Sequence, residues 1–486
     1  SSVATAAVVL DAMPETKEML DWVMQSGGRA STHVVTGGNV MEQILATVDR
    51  DGMGNESSPQ YNALWLSNLY VLADAMAGYE GYPAADLYNN PKFIKMITAA
   101  MPLTLAQNGT AQIGDSGRVA STNYTMSDPI LIRAFQLTGR PEFAQILYQM
   151  HDGKVDMLHG DIFSKDPESI RSQILDIVQT YGEYPTDRSE QITGYGFSIL
   201  RGGSKHSAGN LMQGVNTLQD FWLYYGSGTG HKHPDGLNLG MDAFGVNMAP
   251  DIGYPEACDG SDHYRYWSRA TLNHNTIMVN GRNQTEITSG NGTPRHFDDS
   301  GRVKVMDVDM PQCYSETDIY RRTIVSVQAT DDVSYGIDFF RVKGGNDHLY
   351  TFHSQSDEVS EVEGVTLTPQ VDANGNYVGS YAGPDVPYGT ANSSNGYAWF
   401  RHVDTAKNPG TGTFAADFKV TDFRNTVENN KDLHLRMTML NDFDLSEVSV
   451  TEGVPAQVDQ NPEMLKFVFA RRTGSNLDSL FTTVFE

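Results

Sequence analysis

The stretch GHKHPDGLNL, residues 230–239, contains the residue types in this chain that are best suited to chemistry. His231 and His233 are separated by one residue, and Asp235 follows two residues later. On an extended segment the two imidazoles point to the same face, because side chains alternate with a period of two. Such a pair can share a metal ion, or one imidazole can bind a metal while the other meets a substrate. A solvated loop is the third interpretation, since the HxH spacing alone is a weak signal.

Two residues further along the chain extend the metal interpretation. Asp251 lies in APDIGYP, and His274 lies in TLNHNT. Together with His233 they form a mixed set of imidazole and carboxylate ligands of the kind that zinc accepts. Unrelated histidines on separate loops are the alternative interpretation of the same residues.

A tyrosine at the start of a helix is a third candidate for chemistry. The stretch DGMGNESSPQYN, residues 51–62, combines a glycine-rich turn with a helix start at Pro59, and Glu56 precedes that start. Tyr61 then falls in the first turn, where the helix dipole slightly favours a phenolate. A tyrosine within reach of a reacting atom can act as general acid or base, whereas a packed aromatic side chain is the alternative.

The composition excludes several classes of partner. The chain has 60 acidic and 34 basic residues, so its formal net charge is −26. Such an acidic surface argues against binding of nucleic acid or of anionic membranes. No apolar run is long enough for a membrane span, which needs about 18 residues or more. Cys258 and Cys313 could form one disulfide or none, so the chain is not a disulfide scaffold.

The hydrophobic periodicity changes once along the chain. Apolar residues at helical spacing predict helices over residues 3–24, 59–76, 92–107, 128–138, 141–150 and 170–181. After about residue 185, short β-branched and aromatic segments alternate with Gly, Asn and Asp, which predicts antiparallel strands. We therefore expect an α+β multidomain protein. Its predicted parts are a helical domain over 1–185, a β-sandwich domain over 186–400 and a C-terminal β-sheet portion over 401–486.

Several motifs occur in one order along these elements. They are ESSPQY (56–61), IGDSG (113–117), GFSILRGG (196–203), GHKHPDGLNL (230–239), APDIGY (249–254) and TLNHNTIMVNGRNQ (271–284). In these motifs the chain resembles the heparinase II/III-like superfamily of polysaccharide lyases, which includes heparin lyases and several families of alginate lyases. The resemblance implies an incomplete α/α toroid of helical hairpins followed by a large antiparallel β-sandwich. It also implies β-elimination at a uronic acid of an acidic polysaccharide.

The resemblance assigns expected roles to individual residues. Tyr61 is expected to be the catalytic acid and to act as base as well, and His231 is expected to be the catalytic histidine. His233, Asp251 and His274 match the positions that hold a structural divalent metal, expected to be Zn²⁺. The expected substrate contacts are Glu56, Tyr264, Tyr266 and Arg269.

One group that is essential in the family has no counterpart among the motifs of this sequence. The family places an Asn, or an Asn-His pair, upstream of the tyrosine to neutralise the substrate carboxylate, and that position falls at or before Ser1. We expect the first part of the toroid, with this group, to lie in upstream sequence or in a separate N-terminal chain. Asn62 and His33 lie nearby, but neither of them matches the family's Asn or Asn-His motif.

The expected substrate is alginate, because an acidic chain rich in Asn and Gly suits a saline setting. Heparin, heparan sulfate or another glycosaminoglycan is the alternative substrate. A non-catalytic carbohydrate-binding protein of the same fold is an alternative from a different class. A polysaccharide substrate predicts a secreted or periplasmic protein.

Overall fold

A computed structural model describes residues 1–106, 109–119, 124–161, 164–255, 261–391, 395–423, 427, 432–457 and 463–486. The chain divides into two compact units. The helical unit comprises Ser1–Pro102 and Tyr124–Thr186, and the sheet-rich unit comprises Leu103–Asn123 and Asp187–Glu486. The segment around the IGDSG motif therefore belongs to the sheet-rich unit, although helical segments flank it in the sequence.

The helical unit is built from helices that pack on their neighbours in sequence. Within the described residues they are α1 (Ser2–Leu10), α2 (Glu15–Met24), α3 (Val40–Thr47), α4 (Pro59–Met76), α5 (Pro91–Thr98), α6 (Asp128–Thr138), α7 (Pro141–Met150) and α8 (Ser169–Tyr181), with a short hairpin of β1 (Arg29–Ser31) and β2 (Val34–Val35). Helix α1 packs on α2 and α4, and α7 packs on both α6 and α8. Their buried faces share one apolar core, which includes Leu20, Ile44, Leu72, Phe143 and Ile174. The predicted helical hairpins are confirmed.

Two of the predicted helices need correction, and one helix was not predicted. The helix predicted over residues 3–24 is two helices, because α1 ends at Leu10, the following Asp11 is in the left-handed conformation (φ 44°), and Pro14 precedes α2. The helix predicted over 92–107 ends at Thr98, and a 3₁₀ turn that contains Pro102 follows it. Helix α3, eight residues long, was not predicted.

In the described part of the sheet-rich unit, the strands form three antiparallel sheets. Its strands are β3 (Glu190–Ile192), β4 (Phe197–Gly202), β5 (Gln219–Tyr224), β6 (Asn238–Ala243), β7 (Val246–Asn247), β8 (Ile277–Val279), β9 (Thr293–Asp298), β10 (Val303–Asp309), β11 (Ile319–Gln328), β12 (Ser334–Lys343), β13 (Asp347–His353), β14 (Glu358–Glu363), β15 (Thr368–Pro369), β16 (Phe400–Lys407), β17 (Thr413–Val420), β18 (Leu433–Leu440), β19 (Glu447–Gly453), β20 (Leu465–Thr473) and β21 (Asp478–Phe485). The sheets have the orders β3-β4-β5-β6-β7, β14-β17-β18-β21-β12-β11-β10-β9 and β15-β16-β19-β20-β13-β8. The large antiparallel β-region predicted after residue 185 is confirmed.

One core joins the three sheets. Its buried members come from the five-stranded sheet (Leu200, Leu223, Leu239), the eight-stranded sheet (Ile324, Phe340, Phe481) and the six-stranded sheet (Phe352, Val450, Val468). Strands on both sides of residue 400 pair within the same sheets, since β12 adjoins β21 and β13 adjoins β20. Burial of these interdigitating apolar side chains, at about 25 cal/mol per Å², supplies the main stabilisation of the sandwich.

Among the helices that the structure describes, none combines the length and the apolarity that crossing a bilayer requires. The disulfide question concerns Cys313, which is buried, and Cys258, which lies outside the described residues.

Candidate active site

Three loops of the sheet-rich unit bring the predicted metal residues together. His233 lies between β5 and β6, Asp251 follows β7, and His274 precedes β8. All three side chains are buried, and one ligand atom from each lies within 4.8 Å of the other two. The predicted set of two imidazoles and one carboxylate is therefore a real cluster in the fold.

The outward-facing ring nitrogens of the cluster are fixed by hydrogen bonds. His233 Nε2 lies 2.9 Å from Asp115 Oδ1, and His274 Nδ1 lies 3.0 Å from the Ala270 carbonyl oxygen. Since both partners are acceptors, these nitrogens carry the protons of the neutral rings. The lone pairs then lie on His233 Nδ1 and His274 Nε2, which face each other at 3.3 Å, and Asp251 Oδ2 lies 3.3 Å from the latter. This arrangement fits a divalent cation, because ligating imidazoles usually donate their other N–H to a carboxylate or a carbonyl.

The charges around the cluster also favour a bound divalent cation. Burial alone would raise the pKa of Asp251, but the neighbouring imidazoles of His274 and His233 and the Gly253 N–H together outweigh burial and hold that pKa below its usual value. Burial would lower the pKa of His274, but Asp251, Asp235 and the Ala270 carbonyl together outweigh burial and hold that pKa above its usual value. Burial raises the pKa of Asp235, and its Oδ1 has no hydrogen-bond partner among the described residues. Buried carboxylates are costly without a compensating positive charge, and a divalent cation would supply one.

His231 adopts an unusual backbone conformation that the IGDSG motif supports. Its φ is 51°, in the left-handed region that a non-glycine residue rarely occupies. The Asp115 backbone N–H donates to the His231 carbonyl at 3.1 Å. A Cβ at Gly114 would lie 2.2 Å from that carbonyl oxygen, so only glycine allows the two loops to approach this closely. Such strained residues cluster at functional sites, and the His231 side chain is half-buried.

Asp115 connects the cluster to two of the predicted substrate contacts. Its second oxygen, Oδ2, accepts a hydrogen bond from the Tyr264 hydroxyl at 3.0 Å. The Arg269 guanidinium lies 5.6 Å from the centre of the Tyr264 ring. Arg269 also donates to the Lys232 carbonyl at 3.2 Å and pairs with Glu286. The IGDSG motif carries the family resemblance, but its sequence predicts no role for Asp115. The available signal was a lone carboxylate between two glycines.

The second tyrosine predicted as a substrate contact in this region, Tyr266, has a different environment. Tyr264 and Tyr266 lie on one π-helical turn, Tyr264–Ser268. Tyr266 packs against an apolar cluster that contains Trp267 and Phe400. Short π-helical segments are frequent at functional sites, because they redirect side chains within a helix. Tyr264 is thus the tyrosine of this turn that contacts the site.

The predicted catalytic tyrosine lies in the helical unit. Helix α4 begins at Pro59, with Ser58 in the extended conformation (φ −72°, ψ 126°) at its N-cap, and Tyr61 is half-exposed in the first turn. Asn62 fixes the preceding loop, since its Nδ2 donates to the Glu56 carbonyl at 2.9 Å and its Oδ1 accepts from the Glu56 N–H at 3.3 Å. The amide of Asn62 therefore has a structural role. His33 is exposed in the turn between β1 and β2.

Comparison with known proteins identifies the sheet-rich region. Residues 223–451 match the family described as Heparinase II/III-like, C-terminal. This segment, slightly under half of the chain, is similar to that family. It contains His231, His233, Asp251 and His274, whereas Asp115 lies outside it. No curated protein matches the sequence.

Solved structures of two heparinase II/III-like proteins share the fold. The heparan sulfate lyase HepC from Pedobacter heparinus is 16% identical, with a TM-score of 0.58, over 99% of this chain and 58% of that chain. Heparinase III is 13% identical, with a TM-score of 0.61, over 100% of this chain and 60% of that chain. The predicted fold, a partial toroid of helical hairpins followed by a sandwich, is thereby confirmed. The chain spans about three fifths of the length of these proteins.

Proposed function

We propose that this chain is part of a polysaccharide lyase that cleaves a uronic-acid polymer by β-elimination. One observation carries the proposal. The buried cluster of His233, Asp251 and His274 lies two residues along the chain from the strained His231, within the segment that matches the heparinase II/III-like family.

The proposed chemistry needs an acid, a base and neutralisation of the substrate carboxylate. The C5 proton of a uronate is a poor acid, and an enolate-like transition state is stabilised when the adjacent carboxylate is neutralised. Tyr61 is proposed to protonate the leaving glycosidic oxygen and also to serve as base, and His231 is proposed as a second catalytic group. The electron pair of the C5–H bond forms the C4–C5 double bond as the C4–O bond breaks. The neutralising Asn or Asn-His pair is proposed to lie in a part of the toroid that these 486 residues do not contain.

The proposed ion is Zn²⁺, with a structural role. Bound to His233, Asp251 and His274, it would cross-link the loop between β5 and β6, the loop after β7 and the loop before β8. The chain's own residues then hold His231 in its left-handed conformation, through the hydrogen bond from the Asp115 N–H. Tyr264 and Arg269 are proposed to contact the sugar, with Asp115 and the Lys232 carbonyl setting their positions.

Alginate is the proposed substrate, because the cations beside His231 already have protein partners. Lys232 Nζ is buried and donates to the carbonyls of Gly226 at 2.6 Å and Ile287 at 3.1 Å. Arg269 pairs with Glu286. A heavily sulfated ligand would need several available cations, whereas a carboxylate-only polymer needs fewer. Heparan sulfate is the second candidate, because the fold is shared with proteins named heparan sulfate lyase and heparinase III.

The proposed partners and location follow from this activity. A further segment, in the same polypeptide or in a separate chain, would complete the toroid, since the chain spans 58–60% of the two solved structures. An enzyme encounters such a polysaccharide outside the cytoplasm, so we propose a secreted or periplasmic enzyme.

The test is incubation of the full-length protein with alginate, heparan sulfate, hyaluronan and pectin while ultraviolet absorbance is followed. The unsaturated uronate absorbs and the substrate does not, so a rise with alginate is the expected result. A rise in absorbance with heparan sulfate alone would contradict alginate as the substrate, but it would agree with the proposed β-elimination. Saturable binding without any rise would contradict the lyase and favour a carbohydrate-binding protein of the same fold.

A further inference from the structure

A buried arginine lies behind the metal-binding loops, outside the groups considered so far. Arg322 is on β11, whose side chains alternate so that Tyr320, Arg322 and Ile324 face the core while Arg321 faces outward. The Arg322 side chain is fully buried. A buried guanidinium requires a charge partner and acceptors for its five N–H groups, so its contacts show what it does.

Asp338 of β12 anchors one edge of this guanidinium. Arg322 Nε donates to Asp338 Oδ1 at 3.0 Å, and Nη2 donates to Oδ2 at 2.7 Å, which makes a bidentate pair. The Tyr350 hydroxyl donates to Asp338 Oδ2 at 2.9 Å. The arginine is therefore held rigidly between two strands of the sandwich and cannot follow a moving loop.

The other edge of the Arg322 guanidinium contacts both loops that carry the histidines of the proposed metal site. Nη1 donates to the Leu237 carbonyl at 2.7 Å and to the Asn275 carbonyl at 2.5 Å. Leu237 lies four residues after His233, and Asn275 directly follows His274. Leu237 also has a left-handed backbone (φ 61°), a strained conformation that needs outside support.

We propose that Arg322 is a positioning residue that sets the separation of His233 and His274. One nitrogen atom bridges the carbonyls of the two loops and is itself held by Asp338, so it adds a fixed support to the direct hydrogen bonds between the loops, such as that from Thr276 Oγ1 to the Gly236 carbonyl. The distance between His233 Nδ1 and His274 Nε2 is 3.3 Å, and ligand affinity depends on geometry at this scale. This inference rests on the metal site proposed above.

Lysine cannot replace arginine in this role. An ammonium group is a compact charge with three donors, and it lacks the planar fork that meets a carboxylate on one edge and two carbonyls on the other. Arg322→Lys would keep the charge pair with Asp338 while losing at least one loop contact.

The strand offers a matched control. Arg321 adjoins Arg322, and its guanidinium forms a comparable bidentate pair with Asp307. Its side chain is 45% exposed and faces away from the core. Arg321→Lys therefore makes the same chemical change one residue away, on the other face of the sheet.

The experiment measures Zn²⁺ affinity by competition with a chromophoric chelator, on the full-length protein and on both variants. We expect Arg322→Lys to weaken binding about 10- to 100-fold, the range for groups that orient metal ligands, and Arg321→Lys to leave it unchanged. The visible spectrum of bound Co²⁺ reports ligand geometry, so it should change in Arg322→Lys alone. A folded Arg322→Lys protein with wild-type affinity and spectrum would overturn the inference. Absence of Zn²⁺ binding by the wild-type protein is a different result, which would contradict the metal site itself.

A second variant covers the case in which Arg322→Lys does not fold. The double substitution Arg322→Met with Asp338→Leu removes both charges together, and replacing a buried ion pair in this way is often tolerated. The folded double variant should show the same weakened binding of Zn²⁺. Wild-type affinity would overturn the inference. Failure of both variants to fold would also contradict it, because the pair would then be required by the whole sandwich.

Discussion

Asp115 gives the sharpest test of how the imidazoles of the proposed metal site are held. The substitution Asp115→Asn keeps the size and shape of the side chain and leaves one acceptor oxygen for His233. The new amide can donate to the oxygen of Tyr264, so both contacts of the carboxylate have a counterpart. The variant therefore removes the negative charge and little else.

The expected loss follows from the burial of the hydrogen bond. Asp115 is 2% exposed and His233 is 0% exposed, and the Nε2–Oδ1 distance is 2.9 Å. A hydrogen bond to a charged group contributes about 1.5–3 kcal/mol, against about 0.5–1.5 kcal/mol for a neutral one. The difference of about 1–1.5 kcal/mol corresponds to roughly a tenfold loss of metal affinity. This value agrees with the lower end of the range known for such outer groups.

The assay is equilibrium competition for Zn²⁺ between the protein and a chelator of known affinity. Tyr264→Phe is the control, because it removes the other hydrogen bond to Asp115 and leaves the bond to His233. It should retain wild-type affinity within about twofold and lose turnover. The reasoning is refuted if Asp115→Asn binds Zn²⁺ as tightly as the wild type, or if Tyr264→Phe weakens binding equally.

Three further predictions concern catalysis, loop geometry and pH. Tyr61→Phe and His231→Gln should each abolish product formation while metal content, measured by elemental analysis, stays at the wild-type level. Loss of the metal in either variant would contradict the assigned roles. Gly114→Ala should reduce turnover and lower the free energy of unfolding by about 1–3 kcal/mol, because its Cβ would meet the His231 carbonyl at a positive φ of 60°; unchanged activity and stability would show that the loops can separate freely. Burial lowers the pKa of His353 to about 4, below the value near 6.5 in the unfolded chain. The contribution of neutral His353 to the free energy of unfolding is therefore fully present above pH 6.5, and it is lost as the pH falls toward 4. In chemical denaturation, His353→Gln should flatten this fall by up to about 3 kcal/mol, and an equally steep fall in the variant would exclude His353 as its source.

The fold class could be predicted because the hydrophobic period changes once along the chain. Helices such as α4 and α6 carry proline at their starts, and strands such as β11 and β12 are β-branched and aromatic. The break between α1 and α2 was missed, because the apolar spacing continues through it. The assignment of Leu103–Asn123 to the sheet-rich unit depends on long-range contacts that no local pattern encodes.

The residues of the proposed metal site could be named from motifs, whereas the groups that hold them could not. His233, Asp251 and His274 stand in short motifs with recognisable ligand chemistry. Asp115 lies 118 residues from His233 in sequence, and Arg322 lies 85 residues from Leu237. Such partners follow from sheet register and loop packing, which only the three-dimensional structure provides.

The mass of the products tests the central claim most directly. The full-length protein is incubated with alginate or heparan sulfate, and the oligosaccharides are analysed by mass spectrometry after digestion in oxygen-18 water and rapid reduction. Elimination uses no water, so the account predicts products with an unsaturated uronate end, one water lighter than hydrolysis products and free of solvent oxygen. Saturated products that carry oxygen-18 would show hydrolysis and contradict the account.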